Sequence, residues 1–259
     1  MTVYQRIKAA NAALDPYANP DTPINAASGI SFANPHYLDS GSILWSKNTW
    51  EYFFGGTAQQ YYNGIPAHQG LNCMGCHMAE AIETPEGLKG GHTWKPSVET
   101  CKQCHGQSIT AFEEIPAVGD YDGDGAVTTA FKEIGTIALV TDPTATTPTP
   151  TNGGTGLFGQ LNLQLAKQGI FYNPDKNPYF FTSTTYATNY TAWTTNTLSA
   201  AFDLTLLYKS GNCVPYHNVF YGAQILQDSL RALGVDTSAY DRGPTNRPAT
   251  YYPNIVVNP

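Results

Sequence analysis

The sequence predicts a fold that is mostly irregular coil, with several α-helices and little β-structure. Charged residues make up only 13% of the 259 residues, whereas glycine occurs 24 times, proline 18 times and tyrosine 17 times. Such a composition favours loops and short elements over long surface helices. Because 41% of the residues are hydrophobic, the chain can still bury a sizeable core and is not disordered throughout.

The N-terminal half contains few regular patterns. Residues 1–35 are predicted to form an extended arm with one short helix. Residues 36–140 form a second region, which is aromatic and irregular at its start. Two Cys-x-x-Cys-His motifs lie in this region, each predicted on one helical turn, and a helix is predicted over residues 127–140.

The C-terminal half is more regular. Residues 141–156, TDPTATTPTPTNGGTG, are predicted to be a Thr/Pro/Gly loop that cannot contribute to a core. Residues 157–235 are predicted to be a helical region, and residues 236–259 an extended tail whose Ile-Val-Val could add a strand to a neighbour. Three helices are predicted from apolar periodicity and terminal glycines: residues 156–169, 197–209 and 219–234.

The charge and hydropathy of the chain exclude two classes of partner. The formal net charge is −7 and no cluster of lysine and arginine is present, so a nucleic-acid partner is not expected. No apolar run reaches the roughly 18–20 residues that span a bilayer. The first 20 residues lack the apolar core of a signal peptide, so the chain is either cytoplasmic or has already lost its signal.

Four of the five cysteines lie in two Cys-x-x-Cys-His motifs, at 73–77 and 101–105. A disulfide framework and a four-cysteine zinc site are both compatible with paired cysteines. Neither requires a histidine directly after each second cysteine, whereas covalent haem does, because the thiols bond the haem vinyl groups and the imidazole ligates iron. The sequence therefore predicts two covalently attached haem c groups, held by Cys73, Cys76 and His77 and by Cys101, Cys104 and His105.

Covalent haem also bears on location and on the fifth cysteine. Haem is attached outside the cytoplasm, so the protein is predicted to be exported with its signal peptide removed. An extracellular or cell-surface location is expected, with the periplasm as the alternative. Cys213 is predicted to be a small buried thiol or, alternatively, to form an intermolecular disulfide.

Four histidines remain as candidate distal ligands of the two irons: His36, His68, His92 and His217. The few methionines lie at the start of the chain or within the first motif, so bis-histidine ligation is expected, with a lower potential than His/Met ligation. His68 lies shortly before the first motif and His92 shortly before the second. Because such a short tether makes each a poor distal ligand for the haem beside it, each suits the haem of the other motif. His36 and His217 could serve either haem, and a spare histidine could ligate a haem in another subunit. The alternative for each is an ordinary surface or core histidine.

An acidic loop, GDYDGDGAV, resembles the first half of an EF-hand calcium loop. Phe131 occupies the twelfth position, where an EF-hand has glutamate, so the loop is not a regular one. Glu113 or Glu114 could close the site from the other side, and the alternative is a solvated acidic turn before a helix. The predicted Ca²⁺ ligands are Asp120, Asp122, Asp124, the carbonyl of Ala126, and Glu133.

Several segments between residues 34 and 235 together resemble extracellular multihaem c-type cytochromes of metal-reducing bacteria, some of which polymerise into nanowires. They are NPHYL, HQGLNCMGCHM, GGHTWKPSVETCKQCHG, DYDGDG, KEIG, NPYFF and YHNVFYGAQILQDSLRAL. The resemblance implies a fold organised around closely packed bis-histidine haems. It also implies that the four remaining histidines are haem ligands. Relatives carry four or more haems, so two haems would need those of neighbouring copies to form a long wire.

Three functions follow as hypotheses. The leading one is an exported dihaem electron-transfer cytochrome, not an enzyme. It would form a homo-oligomer or filament and exchange electrons with other redox proteins or extracellular acceptors. A dihaem peroxidase or reductase is the second, and it would need an open iron position. A surface structural protein with accessory haem is the third.

Overall fold

The computed structural model describes residues 3–24, 30–35, 39–211 and 213–245. Within these residues the chain is a mixture of helices and coil, and its β-structure consists of antiparallel pairs of short strands and a few isolated bridges. The predicted combination of coil, several helices and little β-structure is therefore confirmed. Among the described residues, no helix is long and apolar enough to cross a membrane.

Three long helices form the centre of the hydrophobic core. They are α6 (Gly156–Lys167), α7 (Thr195–Lys209) and α9 (Val219–Ala232), and each contacts the other two. Their facing leucines are buried, which removes apolar surface from water and stabilises the fold: Leu161, Leu165, Leu204, Leu207 and Leu226. All three predicted helices of this region are confirmed.

The remaining elements are short and are arranged around this core. The helices are α1 (Val3–Ala10), α2 (Asp39–Leu44), α3 (Pro66–His77), α4 (Glu99–His105), α5 (Ala130–Ile134) and α8 (Val214–His217). The strand pairs are β1 (Phe53–Phe54) with β2 (Thr57–Ala58), β3 (Ile82–Thr84) with β4 (Gly87–Lys89), β5 (Thr136–Ile137) with β6 (Gly154–Thr155), and β7 (Phe171–Tyr172) with β8 (Phe180–Phe181).

The short helix predicted within residues 1–35 is present as α1, but the described residues of this segment do not form an extended arm. Helix α1 packs on α7, and Val3 and Ile7, four residues apart on one helix face, are buried in the core. Leu14 and Ile24 continue the same contact beyond the helix. Burial of these apolar side chains holds the segment against the body of the protein.

The helix predicted over residues 127–140 is much shorter in the structure. Helix α5 begins after Thr129, whose side chain accepts a hydrogen bond from the Lys132 N–H, and it ends before Gly135. Gly135 has φ of 78°, and a Cβ atom there would lie 1.8 Å from the Thr155 carbonyl oxygen. Close pairing of β5 with β6 thus requires glycine and stops the helix.

The segment predicted as a Thr/Pro/Gly loop, residues 141–156, ends in strand β6 and the first residue of α6. Because β6 pairs with β5, which precedes the segment, the loop leaves the body of the protein and returns to the same place. The Asn152 Oδ1 atom accepts hydrogen bonds from the backbone N–H groups of Thr141 and Asp142, at 2.8 and 2.9 Å. These bonds close the loop across its base.

The described part of the C-terminal tail lies against the body. The Asp241 N–H donates to the Asp120 carbonyl at 2.7 Å. The Arg242 guanidinium donates two hydrogen bonds of 2.7 Å to the Asp228 carboxylate. The predicted Ile-Val-Val strand, residues 255–257, lies outside the described residues.

Candidate functional site

The first Cys-x-x-Cys-His motif forms its own helical turn at the end of α3. The helix begins at Pro66, which suits a first helical turn because its missing N–H would have no partner there. It is interrupted at Asn72, where φ is 51° and ψ is −165°, and the Met74 N–H then donates to the Asn72 side chain at 3.0 Å. The interruption separates residues 73–77 from the preceding turns, which confirms the predicted position of the motif on a helical turn.

The second motif lies on α4, and neither motif helix contributes a buried residue to the core. Large apolar side chains beside the first motif are exposed instead: Leu71 is 45% exposed, Met74 60% and Trp94 50%. Such a concentration of exposed apolar surface is typical of a binding surface rather than of an ordinary exterior.

The cysteines are arranged neither as disulfides nor as one zinc site. All five are free thiols. Burial first, and then the neighbouring thiols of Cys76 and Cys104, raise the pKa of Cys101 to about 11. The two motifs are therefore neighbours in space. Among the described residues, however, the four motif thiols do not converge as the ligands of one tetrahedral metal ion would.

Each motif histidine faces a histidine from outside its own motif. The ring centroids of His77 and His217 are 6.3 Å apart, and those of His68 and His105 are 6.2 Å apart. A metal–imidazole bond is about 2.0–2.1 Å, and the ring centroid lies roughly 1.1 Å behind the ligating nitrogen, so two axial imidazoles on one metal have centroids about 6.3 Å apart. Both pairs have the spacing that bis-histidine ligation of one iron requires.

Two of these imidazoles are oriented by backbone carbonyl groups. The Nδ1 atom of His77 lies 3.0 Å from the Trp94 carbonyl oxygen, and Nδ1 of His68 lies 3.3 Å from the His217 carbonyl oxygen. Because a carbonyl oxygen only accepts, Nδ1 carries the proton in each ring. In the neutral ring, Nε2 is then the nitrogen without a proton, and it is the one that can ligate a metal.

The core helices position His217. It ends α8 and precedes Asn218, whose buried side chain donates to the Ser46 Oγ atom at 2.9 Å and accepts from the Tyr221 N–H at 3.2 Å. Burial, followed by the nearby His77 and His68 side chains, lowers the pKa of His217 to about 4. The ring is therefore neutral at neutral pH, as a ligand must be.

The other two candidate histidines are not part of these pairs. His92 is exposed on a 3₁₀ turn at Gly91–Thr93, and among the described residues it belongs to neither pair. His36 lies outside the described residues. Cys213 is a half-buried free thiol whose pKa is raised by burial and then by Asp39.

The three aspartates of the acidic loop converge. One carboxylate oxygen from each of Asp120, Asp122 and Asp124 lies within 4.8 Å of the others. Backbone N–H groups of Gly123 and Gly125, both at positive φ, donate to the Asp120 carboxylate at 2.8 and 2.9 Å and shape the turn. Burial first, and then the charges of Glu133, Asp124 and Asp120, raise the pKa of Asp122 to about 7. A cation bound here would relieve this repulsion.

Glu133 holds the backbone of the acidic loop through hydrogen bonds. Its side chain is buried, and its two oxygens accept hydrogen bonds from the backbone N–H groups of Tyr121 and Thr128, at 2.9 and 2.8 Å. It is not among the three converging carboxylates. The other residues predicted to complete the site have these contacts. The Ala126 N–H donates to the Asp124 side chain at 2.8 Å, and the Glu114 carboxylate accepts a hydrogen bond from the Thr110 N–H. Glu113 is exposed.

Sequence reasoning missed two residues of this site. Asn218 could have been found, because asparagine directly before an apolar-periodic helix is a frequent N-cap. Trp94 could not, because its contact with His77 depends on how a hairpin folds back onto α3.

Comparison with known proteins adds no relative. No protein-family model, curated protein or solved structure matches the chain. The functional interpretation therefore rests on the residues and geometry described above.

Proposed function

We propose that this protein is an exported c-type cytochrome that holds two covalent haems and carries electrons. The observation that carries the proposal is the facing of each motif histidine by a second imidazole, at centroid distances of 6.3 and 6.2 Å. The exposed apolar side chains beside the motif cysteines support it further, because haem is a large apolar group that would cover them.

The residues proposed to bind haem form two sets, and each set has two thiols and two imidazoles. When bound, haem supplies a one-electron iron couple, and two imidazole ligands give it a lower potential than a histidine and a methionine would. The thiols of each set would fix the position of the group, and its two imidazoles would hold the iron. The first set is Cys73, Cys76, His77 and His217, and the second is Cys101, Cys104, His105 and His68.

The two imidazole pairs favour electron transfer over catalysis. A haem peroxidase or reductase needs an iron position open to substrate. Two imidazoles lie at the spacing that would let both ligate one iron in each pair, which would leave no position open for a substrate.

Haem content tests the proposal directly. Exported by a bacterial host that attaches haem outside its cytoplasm, the protein is expected to have the intact mass of the chain plus two haems. A Cys101→Ala/Cys104→Ala variant should carry one, whereas the matched Cys213→Ala variant should keep both. Recovery of the bare chain, or of stoichiometric zinc in place of haem, would overturn the proposal.

The proposal extends to the acidic loop and to assembly. We propose that the three converging aspartates bind Ca²⁺, because carboxylate oxygens are the ligands that this ion prefers. We also propose that copies of the chain associate outside the cell. Helices α3 and α4 contribute no buried residue, so groups held there lie at the surface, within reach of a second copy or an extracellular acceptor.

Association has a simple test. Electron micrographs of the purified haem-loaded protein are expected to show oligomers or filaments, and dilution should shorten them. The ring pairs would supply two imidazoles to each iron within one chain, so His92→Ala should leave the spectrum of the haems unchanged whatever its effect on assembly. Monomers at every concentration would contradict the association.

A further inference from the structure

A loop after the β3–β4 hairpin brings the chain back onto the end of α3. The Gly91 N–H donates to the Ala79 carbonyl at 2.8 Å, two residues beyond His77, and the Gly90 N–H donates to the Lys95 carbonyl at 2.7 Å. A Cβ atom at Gly90 would lie 2.6 Å from the Ala79 oxygen. Backbone packing this close fixes the loop Gly90–Lys95 against the first motif.

Trp94 lies in this loop in an unusual backbone conformation. Its φ is 59° and its ψ is 13°, in the left-handed region. Residues other than glycine seldom adopt this region, and a bulky side chain occupies it only where the surrounding structure enforces it. The same residue contacts His77 twice: its carbonyl oxygen is 3.0 Å from Nδ1, and its indole stacks on the imidazole at 5.2 Å with 27° between the planes.

We infer that Trp94 is the positioning residue of His77, and that its left-handed backbone aims the carbonyl group at Nδ1. This inference rests on the proposed function. A hydrogen bond from Nδ1 to a carbonyl fixes the plane of the imidazole and raises the basicity of Nε2, which strengthens it as a ligand to the oxidised metal. Trp94 would therefore lower the potential of the first haem and keep His77 bound.

Two substitutions distinguish the effect of the Trp94 backbone conformation from the effect of its indole. Trp94→Asn and Trp94→Val both remove the indole, but asparagine tolerates the left-handed region whereas β-branched valine does not. Trp94→Asn is expected to keep both midpoint potentials close to wild type. Trp94→Val should raise one of the two potentials and accelerate cyanide binding at one haem by about tenfold or more, the effect typical of losing a group that orients a metal ligand.

The outcomes separate this inference from the function on which it rests. Haem content is measured first, and absence of haem from the wild-type protein overturns the proposed function. With haem present, equal behaviour of the Asn and Val variants, whether both shift or neither does, overturns the role of the Trp94 backbone. Loss of the first haem alone in the folded Val variant, with the second haem retained, supports that role.

Discussion

Replacing His217 with alanine is expected to convert one of the two haems from low-spin to high-spin and to leave the other unchanged. The ring of His217 lies 6.3 Å from that of His77, so in the proposed cytochrome its removal would leave the first iron without a sixth ligand. His68→Ala should have the same effect on the second haem, because His68 faces His105 at 6.2 Å. Added imidazole should restore the low-spin spectrum in both variants.

A chain with a single haem makes the assignment unambiguous. In a Cys101→Ala/Cys104→Ala background only the first haem should remain, so His217→Ala should turn all of the haem high-spin and His68→Ala should leave it low-spin. Electron paramagnetic resonance measures the two spin states directly. The exposed His92, replaced by alanine, is the matched control and should leave both haems low-spin. A reversed pattern would contradict the pairing.

Calcium is expected to raise the midpoint temperature of unfolding of the EDTA-treated protein. A ligand present at 100 times its Kd stabilises the native state by about 2.7 kcal/mol. In a chain of this size that stabilisation corresponds to an increase of about 5–10 °C. The physical reason is the crowding of Asp120, Asp122 and Asp124, whose mutual repulsion a divalent cation would neutralise.

The control for calcium is an aspartate outside the loop. Asp122→Asn should abolish most of the increase, whereas replacement of the exposed Asp236 by asparagine should preserve it. The effect should reach the tail, because the Asp241 N–H donates to the Asp120 carbonyl at 2.7 Å and the Tyr240 ring lies against Gly123. Identical unfolding temperatures with and without calcium would count against the site.

Local patterns predicted the core helices well. The apolar stripe before Gly234 predicted α9, because a helical face that is buried repeats every three to four residues wherever the helix lies. The same reasoning failed over residues 127–140. There Thr136 and Ile137, directly after Gly135, form strand β5, and the pairing that requires Gly135 involves Thr155, a residue distant in the sequence. The short N-terminal helix was predicted but its packing was not, since the core that buries Ile7 is formed by distant helices.

The sequence also predicted one part of the candidate site and not the other. The cysteines and the motif histidines follow from a covalent pattern confined to five residues, so the sequence alone predicts them. The expectation that His68 serves the other motif agrees with its position beside His105, but His217 could equally have served either motif. Its placement beside His77 depends on how α8 and α9 pack, which local patterns do not encode. The predicted role of His92 as a ligand within the chain receives no such support, because His92 is exposed.

Anomalous X-ray scattering from crystals of the purified protein tests the central claim most directly. We expect two peaks per chain at the iron absorption edge, one between the rings of His77 and His217 and one between those of His68 and His105. The anomalous signal at the two positions, measured just above and just below the zinc absorption edge, should show no contribution from zinc. A single peak surrounded by the four motif thiols, or iron with only one imidazole ligand at either position, would contradict the account.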